Sequence, residues 1–147
     1  MKTISIDTGI QEFQINDGGF LRFNPSDPNV YSRFFSVTDK VDKIDQELAK
    51  EVSALEENDG EGALRALKNA DAKAKALLND VFGENNDFDR ILGGVNIMAV
   101  GKNGKRVIVN LFEALSPIFM EGAKRCAGAK LNAAKMSREQ RRTAVEK

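Results

Sequence analysis

The sequence predicts a mainly α-helical protein of the α+β class, with a small antiparallel β-meander at its N-terminus. Three features indicate this class: short alternating apolar segments at the start, a long apolar stripe at helical spacing, and a second stripe after an acidic loop. We expect a helical bundle built on a long αα-hairpin and a proline-kinked core helix. A length of 147 residues fits a single domain, divided into a β-meander (1–24), a helical core (26–121) and a basic C-terminal segment (122–147).

Residues 1–24 carry the signals of a small sheet. Residues 16–19 (Asn-Asp-Gly-Gly) supply the positive-φ residues that a tight hairpin needs. Thr8-Gly9 is a weaker turn signal, so two or three strands are expected. So small a sheet needs a helix across one face to be stable. The apolar residues that alternate with polar neighbours are Ile4, Ile6, Phe13 and Ile15.

Residues 30–55 form the longest apolar stripe of the chain. Its members recur at steps of three and four, which places them on one side of a helix, and the residues between them are mostly charged. The helix start is marked by Ser26 or Asp27, either of which can cap the free N–H groups, and by Pro28 in the first turn. The stripe residues are Val30, Phe34, Val37, Val41, Ile44, Leu48, Val52 and Leu55.

A second helix is predicted over residues 63–82, after an acidic, glycine-containing loop at residues 56–62. The two helices are expected to form the αα-hairpin. Alanines in the second helix permit close approach, and its Ala, Leu and Lys content favours helix formation. The predicted apolar face consists of Leu64, Leu67, Ala70, Ala74, Leu77, Leu78 and Val81.

Residues 87–92 indicate a short capped turn of helix that Gly93-Gly94 ends. Two interpretations remain open for residues 97–109. Asn103-Gly104 between two apolar runs is a strong hairpin signal. The rival is a helix from about Lys105, which the length of the apolar run favours because it exceeds that of a strand.

The third long helix is apolar on most sides, which predicts a central position in the core with a kink at Pro117. Further on, Ser137 followed by Gln140 is typical of the start of a short terminal helix. The large residues predicted to form the core are Phe34, Phe35, Leu111, Phe112 and Phe119.

The residue inventory removes much catalytic chemistry. The chain has no histidine and a single cysteine, Cys126, which excludes an intrachain disulfide, a Cys/His zinc site and an imidazole base. The acidic loop lacks the spacing of a calcium site, and the glycines at 93–104 lack that of a phosphate-binding loop. We therefore assign no catalytic residue, cofactor or metal, and expect a protein that is not an enzyme.

Charge is divided unevenly along a chain of zero formal net charge. Residues 1–100 hold 11 basic and 18 acidic residues and residues 101–147 hold 11 and 4, giving −7 and +7. Single-sign segments often contact partners, but the basic segment lacks the interleaved aromatics that favour nucleic acid. Neither a signal peptide nor a membrane span is indicated, so a cytoplasmic location is expected. The predicted partner-binding residues are Ile44, Leu48, Val52, Leu55, Lys124, Arg125, Arg138, Arg141 and Arg142.

Three parts of the chain together resemble a known family. They are residues 22–28 (Arg-Phe-Asn-Pro-Ser-Asp-Pro) with 31–35 (Tyr-Ser-Arg-Phe-Phe), residues 81–84 (Val-Phe-Gly-Glu) with 91–96 (Ile-Leu-Gly-Gly-Val-Asn), and residues 111–118 (Leu-Phe-Glu-Ala-Leu-Ser-Pro-Ile). In that order they resemble the small tail-assembly-chaperone-like proteins encoded in the tail modules of phages and prophages of Gram-positive bacteria.

The resemblance implies a non-enzymatic helper of tail assembly in the cytoplasm of the bacterial host. Such a protein binds the tape-measure protein and keeps its long hydrophobic helices soluble while tail-tube subunits polymerise around it. The tail-tube protein and further copies of the chain are additional candidate partners. Two rival functions remain open: a nucleic-acid-binding or host-directed inhibitory protein that uses the basic segment, and a minor structural subunit of the tail or neck.

Overall fold

A computed structural model of the chain describes residues 1–83 and 85–146, with side chains described up to residue 128. As predicted, the fold is mostly helical and begins with a small antiparallel sheet. The two helices of the predicted αα-hairpin pack against each other, also as predicted. The elements are β1 (Gln11–Ile15), β2 (Gly19–Phe23), α1 (Pro28–Ser53), α2 (Gly60–Phe82), α3 (Phe88–Ile91) and α4 (Val107–Glu146).

The predicted hairpin joins β1 to β2, with Phe13 opposite Leu21 and Ile15 opposite Gly19. In the turn between the two strands, residues 16–19, the residue with a positive φ is Asn16, at 53°. Gly19 serves a different purpose, because a Cβ there would clash with the carbonyl oxygen of Ile91. Glycine at this position therefore lets β2 approach α3 closely.

The meander has two strands, since Ile4 and Ile6 join no strand among the described residues. Their side chains are 84% and 76% exposed. Asn24 Nδ2 donates a hydrogen bond to the Thr8 carbonyl oxygen at 2.9 Å, and Gly9, with a φ of 75°, lies against the Asn24 side chain. The weak turn thus holds the chain beside the end of β2 and does not fold it back onto β1.

α1 begins as predicted, with Pro28 in the first turn and Asp27 Oδ1 accepting a hydrogen bond from the Asn29 N–H at 2.9 Å. The prediction of one buried stripe was wrong at its end. α1 stops before Leu55, which is half-buried, and Val52 is exposed. The stripe residues that are buried are Val30, Phe34, Val37, Val41, Ile44 and Leu48.

α2 begins at Gly60, earlier than predicted, because Asp59 Oδ1 accepts a hydrogen bond from the Gly62 N–H at 2.8 Å. Leu64 was predicted to be buried and is 68% exposed. Alanines at steps of four set the buried face, and Leu64, two residues before the first of them, projects from the other side of the helix. The small side chains of these alanines let α1 and α2 lie close together. The buried apolar residues of α2 are Ala66, Ala70, Ala74, Leu78, Val81 and Phe82.

The buried Lys75 ties α2 to α3 and to the segment before α4. Its Nζ donates to Asp89 Oδ1 at 2.6 Å, to Asp71 Oδ2 at 3.1 Å and to the Val95 carbonyl oxygen at 2.9 Å. Asp71 also accepts from the Ile97 N–H at 2.7 Å. Burial disfavours the charged ammonium, but hydrogen bonds to the two carboxylates outweigh it and raise the pKa of Lys75 above its ordinary 10.5.

Residues 97–109 combine parts of both interpretations. A helix does follow, but α4 begins at Val107. Before it, a tight turn with Gly104 at a φ of 81° closes a single β-bridge between Val100 and Arg106. The predicted short helix is present as α3, capped by Asp87.

α4 runs without a break through Pro117 and Ser137, so no separate terminal helix begins at Ser137. This helix was predicted to lie centrally in the core, and it packs into the core along one side. One side meets the rest of the chain, whereas Val109 and Met120 are exposed on other sides. The buried apolar residues of α4 are Ile108, Leu111, Leu115 and Phe119.

Stacked aromatic rings join the sheet, α1 and α4. Phe34 stacks on Phe119 with ring centroids 4.5 Å apart, and Phe119 lies 5.2 Å from Phe23. Phe35 was predicted to be in the core and is 42% exposed. Phe35 follows Phe34 directly in the helix, so its side chain projects about 100° around the helix axis from that of Phe34. The ring of Phe35 packs against that of Tyr31. Among the other predicted core residues, the buried ones are Phe34, Leu111 and Phe119, and Phe112 is half-buried.

Gly122 lets α4 cross the start of α1. A Cβ on Gly122 would clash with the carbonyl oxygen of Pro25, whereas one on Gly128 would meet nothing within 4 Å. We expect Gly122→Ala to lower the free energy of unfolding by about 1–3 kcal/mol, because the two backbones must separate. Gly128→Ala is the matched control and should be neutral or stabilising by up to about 1 kcal/mol. Equal stability of the two variants in urea denaturation would contradict a close crossing.

Candidate docking surfaces

The predicted docking face on α1 belongs largely to the core. Ile44 and Leu48 are buried between α1 and α2, beside Ala66 and Ala70. They are inaccessible to a partner while the hairpin is closed. Val52 is exposed and Leu55 is half-buried, which leaves apolar surface at the hairpin end.

Two of the basic residues predicted to bind a partner, Lys124 and Arg125, project from different sides of α4. Lys124 and Arg125 are both exposed on α4, and as consecutive helical residues they project about 100° apart. The prediction for Arg138, Arg141 and Arg142 concerns side chains outside the described residues. Lys124 and Arg125 must therefore be considered separately.

An open apolar pocket of about 230 Å³ lies between the start of α1 and α4. Tyr31 forms part of its wall, and the ring of Phe35 lies 4.5 Å from that of Tyr31. The exposed face of Phe35 therefore continues the apolar surface beyond the pocket. We name this site the aromatic pocket, and its lining residues are Pro25, Ser26, Asp27, Pro28, Tyr31, Ala123, Cys126 and Ala127.

Two polar groups in the wall of the aromatic pocket form hydrogen bonds within the chain. The Ser26 N–H donates to Asn24 Oδ1 at 2.8 Å, and Asp27 accepts from the first turn of α1. Gly122 brings α4 against Pro25, so the two walls of the pocket are held by backbone contact. What the pocket offers a ligand is therefore mainly apolar surface.

Lys124 adds a positive charge beside the aromatic pocket. It follows Ala123 of the pocket wall and lies one turn after Met120, whose exposed side chain shares that side of α4. Phe35 and Met120 add exposed apolar side chains to the two helices that form the pocket. Lys124 can pair with an acidic group at their border.

Sequence reasoning missed the aromatic pocket because its two walls are far apart in the chain. Phe35 was predicted to lie in the core, and residues 123–127 fall within the predicted basic segment. A usable signal was present: Tyr31 and Phe35 are large aromatic residues one turn apart that do not lie on the apolar stripe of α1.

A second apolar site is a groove of about 390 Å³ between β1 and α4. Phe13 and Ile15 of β1 form one wall, and α4 forms the other with aliphatic side chains such as Leu111 and Ile118. We name it the β1–α4 groove. Its lining residues are Phe13, Gln14, Ile15, Asn16, Leu92, Val107, Asn110, Leu111, Ala114, Leu115 and Ile118.

The groove runs along a free strand edge. On the outer edge of β2, Arg22 exchanges two hydrogen bonds with the Asn86 side chain, both at 2.8 Å. The backbone N–H and C=O groups of Arg22 therefore point away from β1. Glu12 lies directly opposite Arg22, so the backbone groups of Glu12 point away from β2. Because this pattern repeats every two residues, the backbone groups of Gln14 also point away from β2. Within the described chain, no backbone hydrogen bond reaches Glu12 or Gln14 on that edge.

In the described part of the chain, no group of three or more cysteine, aspartate and glutamate residues is arranged to hold a metal ion. No helix within residues 1–83 and 85–146 is both long and apolar enough to cross a membrane. Comparison of the chain with protein-family models, with curated proteins and with solved structures finds no match.

Proposed function

We propose that this protein is a non-enzymatic tail assembly chaperone of a phage or prophage of Gram-positive bacteria. It binds the tape-measure protein in the host cytoplasm and assists polymerisation of the tail tube. The sequence resemblance supports the identity of the client. The observation that supports a docking role is the aromatic pocket with the exposed ring of Phe35 beside it, because apolar surface of this kind marks binding sites.

The chemistry of the pocket defines the client segment. An amphipathic helix presents apolar anchors at steps of three and four, which suits a pocket extended by Phe35 and Met120. Lys124 favours acidic residues along the border of that apolar face. The client is therefore an apolar-faced helix with acidic flanks, such as a long coiled tape-measure helix would supply before the tube encloses it.

The parts of the chain that carry the resemblance meet around the same core. Arg33 Nε donates to the Val81 carbonyl oxygen at 3.1 Å, joining the first stretch to the second. The rings of Phe34 and Phe112 lie 5.5 Å apart and join the first stretch to the third. The resemblance therefore concerns the framework that positions the aromatic pocket.

Co-expression with the tape-measure protein encoded beside this chain tests the proposal. We expect the wild-type chain to co-purify with the tape-measure protein and to raise its soluble fraction, and Phe35→Asp to abolish both effects without unfolding the chain. Phe20→Asp is the matched control, because Phe20 is a similarly exposed phenylalanine at 51% on β2. A thermal melt confirms that both variants fold.

Three results would reject the proposal. The first is a tape-measure protein that neither co-purifies nor gains solubility. The second is tight DNA binding that falls steeply with salt, which would favour the nucleic-acid rival. The third is the presence of the chain in purified mature virions, which would favour a structural subunit because a chaperone leaves the finished tail.

A further inference from the structure

We propose that two copies of this chain exchange their N-terminal segments. Residues 2–6 of each copy add as a third strand to the free edge of β1 in the other copy and cover the β1–α4 groove. This interaction involves two copies of the chain alone and does not depend on the proposed client.

The N-terminal segment has the pattern of a strand that lacks a partner. Ile4 and Ile6 alternate with Thr3 and Ser5, as in a strand with one apolar face. Ile4 and Ile6 are nevertheless among the most exposed apolar residues of the described chain, and no strand pairs with them. Two isoleucines held in water two residues apart constitute a small apolar face that requires a cover.

The same chain carries the matching vacant edge. Glu12 and Gln14 direct their backbone N–H and C=O groups away from β2, and such an edge readily pairs with another strand. Phe13 lies between them and faces the same side as its cross-strand partner Leu21, which is fully buried. A strand added here with its isoleucines on that face would seal the groove against α4.

Pairing within one chain is disfavoured at Thr8. Folding residues 2–6 back onto their own β1 with Ile4 opposite Phe13 requires a two-residue turn at Thr8-Gly9. The turns suited to a hairpin need a positive φ at the first position, which a β-branched threonine resists. In the structure, Gly9 has the positive φ and Asn24 holds the Thr8 carbonyl oxygen beside the end of β2.

One register satisfies both copies at once. If Ile4 lies opposite Phe13 of the partner in an antiparallel pair, Thr3 and Ser5 lie opposite Gln14 and Glu12, whose backbone groups are free. No carboxylate then faces Glu12, so like-charge repulsion is avoided. The symmetry axis of this register passes between residues 8 and 9, so the same contacts form twice in a two-fold dimer.

Sedimentation or light scattering over a dilution series tests the assembly. We expect the wild-type chain to have the mass of two copies, and the double variant Ile4→Asp, Ile6→Asp to have the mass of one while it still melts cooperatively; its melting temperature should no longer depend on protein concentration. Leu64→Asp is the matched control, since Leu64 is comparably exposed on α2, and it should remain a dimer. A wild-type chain that is monomeric at every concentration would overturn the proposal.

Disulfide trapping tests the register and direction of pairing. In a Cys126→Ser background, we mix chains carrying Thr3→Cys with chains carrying Gln14→Cys and oxidise them. Cα atoms opposite each other in such a pair lie about 5.5 Å apart, within the range of a disulfide, so a covalent dimer should form. Thr3→Cys mixed with Leu64→Cys should give none. A further variant carries both Thr3→Cys and Gln14→Cys in one chain. If this variant closes an internal disulfide while the mixture of the two single-cysteine chains stays monomeric, residues 2–6 fold back within one chain and the exchange is rejected.

Discussion

Phe119→Ala should lower the free energy of unfolding by about 3–5 kcal/mol, the range typical of a buried phenylalanine. Phe119 is fully buried and stacks on Phe34 at 4.5 Å while lying 5.2 Å from Phe23. Its removal leaves a cavity between α1, α4 and the sheet, and the neighbouring rings of Phe23 and Phe34 lose their contact with it. Such a loss is a large fraction of the stability of a single domain.

Urea denaturation followed by circular dichroism measures this loss. The control is Phe20→Ala, because Phe20 has the same chemistry but is half in water, and we expect it to change stability by less than about 1 kcal/mol. Similar losses for the two variants would mean that the aromatic rings do not form the centre of the core.

Lys75→Met should cost about 2–4 kcal/mol. Removing one member of a buried ion pair leaves the other charge without its partner, at a usual cost of roughly 3–5 kcal/mol. The Asp71 side chain is only 18% exposed, whereas Asp89 is 64% exposed and can be hydrated by water, which reduces the loss. The variant should also loosen the segment before α4, because Lys75 holds the Val95 carbonyl oxygen.

The pH dependence identifies the charge as the cause. The folded-state pKa of Lys75 is raised above 10.5, so its contribution is complete below that pH and disappears as the pH rises through the higher folded-state value. The stability difference between wild type and Lys75→Met should therefore be constant near neutral pH and shrink in strong alkali. Lys73→Met, at an exposed position of the same helix, should show neither effect. A difference that persists unchanged in alkali would contradict the ion pair.

Local chemistry explains which parts of the fold could be predicted. The start of α1 depends on Asp27 and Pro28, which act on their own neighbours, and the apolar stripe from Val30 to Leu48 has one partner helix. The position of α3 is similarly determined by Asp87 and the glycines after it. In each case the residues that decide the structure lie within one or two turns of it.

Other features depend on contacts between distant residues. Leu64 fits an apolar pattern, but alanines form the actual contact with α1 because they permit closer packing. The burial of Lys75 depends on Asp89 and Val95, which reach it from other elements. No local pattern distinguishes such a lysine from its exposed neighbours.

The burial of Ile44 and Leu48, two of the predicted docking residues, has the same cause. Ile44 and Leu48 form an apolar face that any partner could cover, and α2 covers it within the chain. Tyr31 and Phe35 lie at an apolar surface that is left uncovered, where the start of α1 meets the middle of α4 across Gly122. That crossing brings together residues about ninety positions apart, which periodicity along one helix cannot reveal.

Thiol reactivity of Cys126 tests the docking of a client helix in the aromatic pocket most directly. Cys126 lines the pocket and is the single cysteine of the chain, so its rate of modification by a thiol reagent reports on that site alone. We expect the rate to fall when the chain is in complex with the tape-measure protein and to be restored when Phe35→Asp prevents binding. An intact complex in which Cys126 reacts as fast as in the free chain would contradict docking at this pocket.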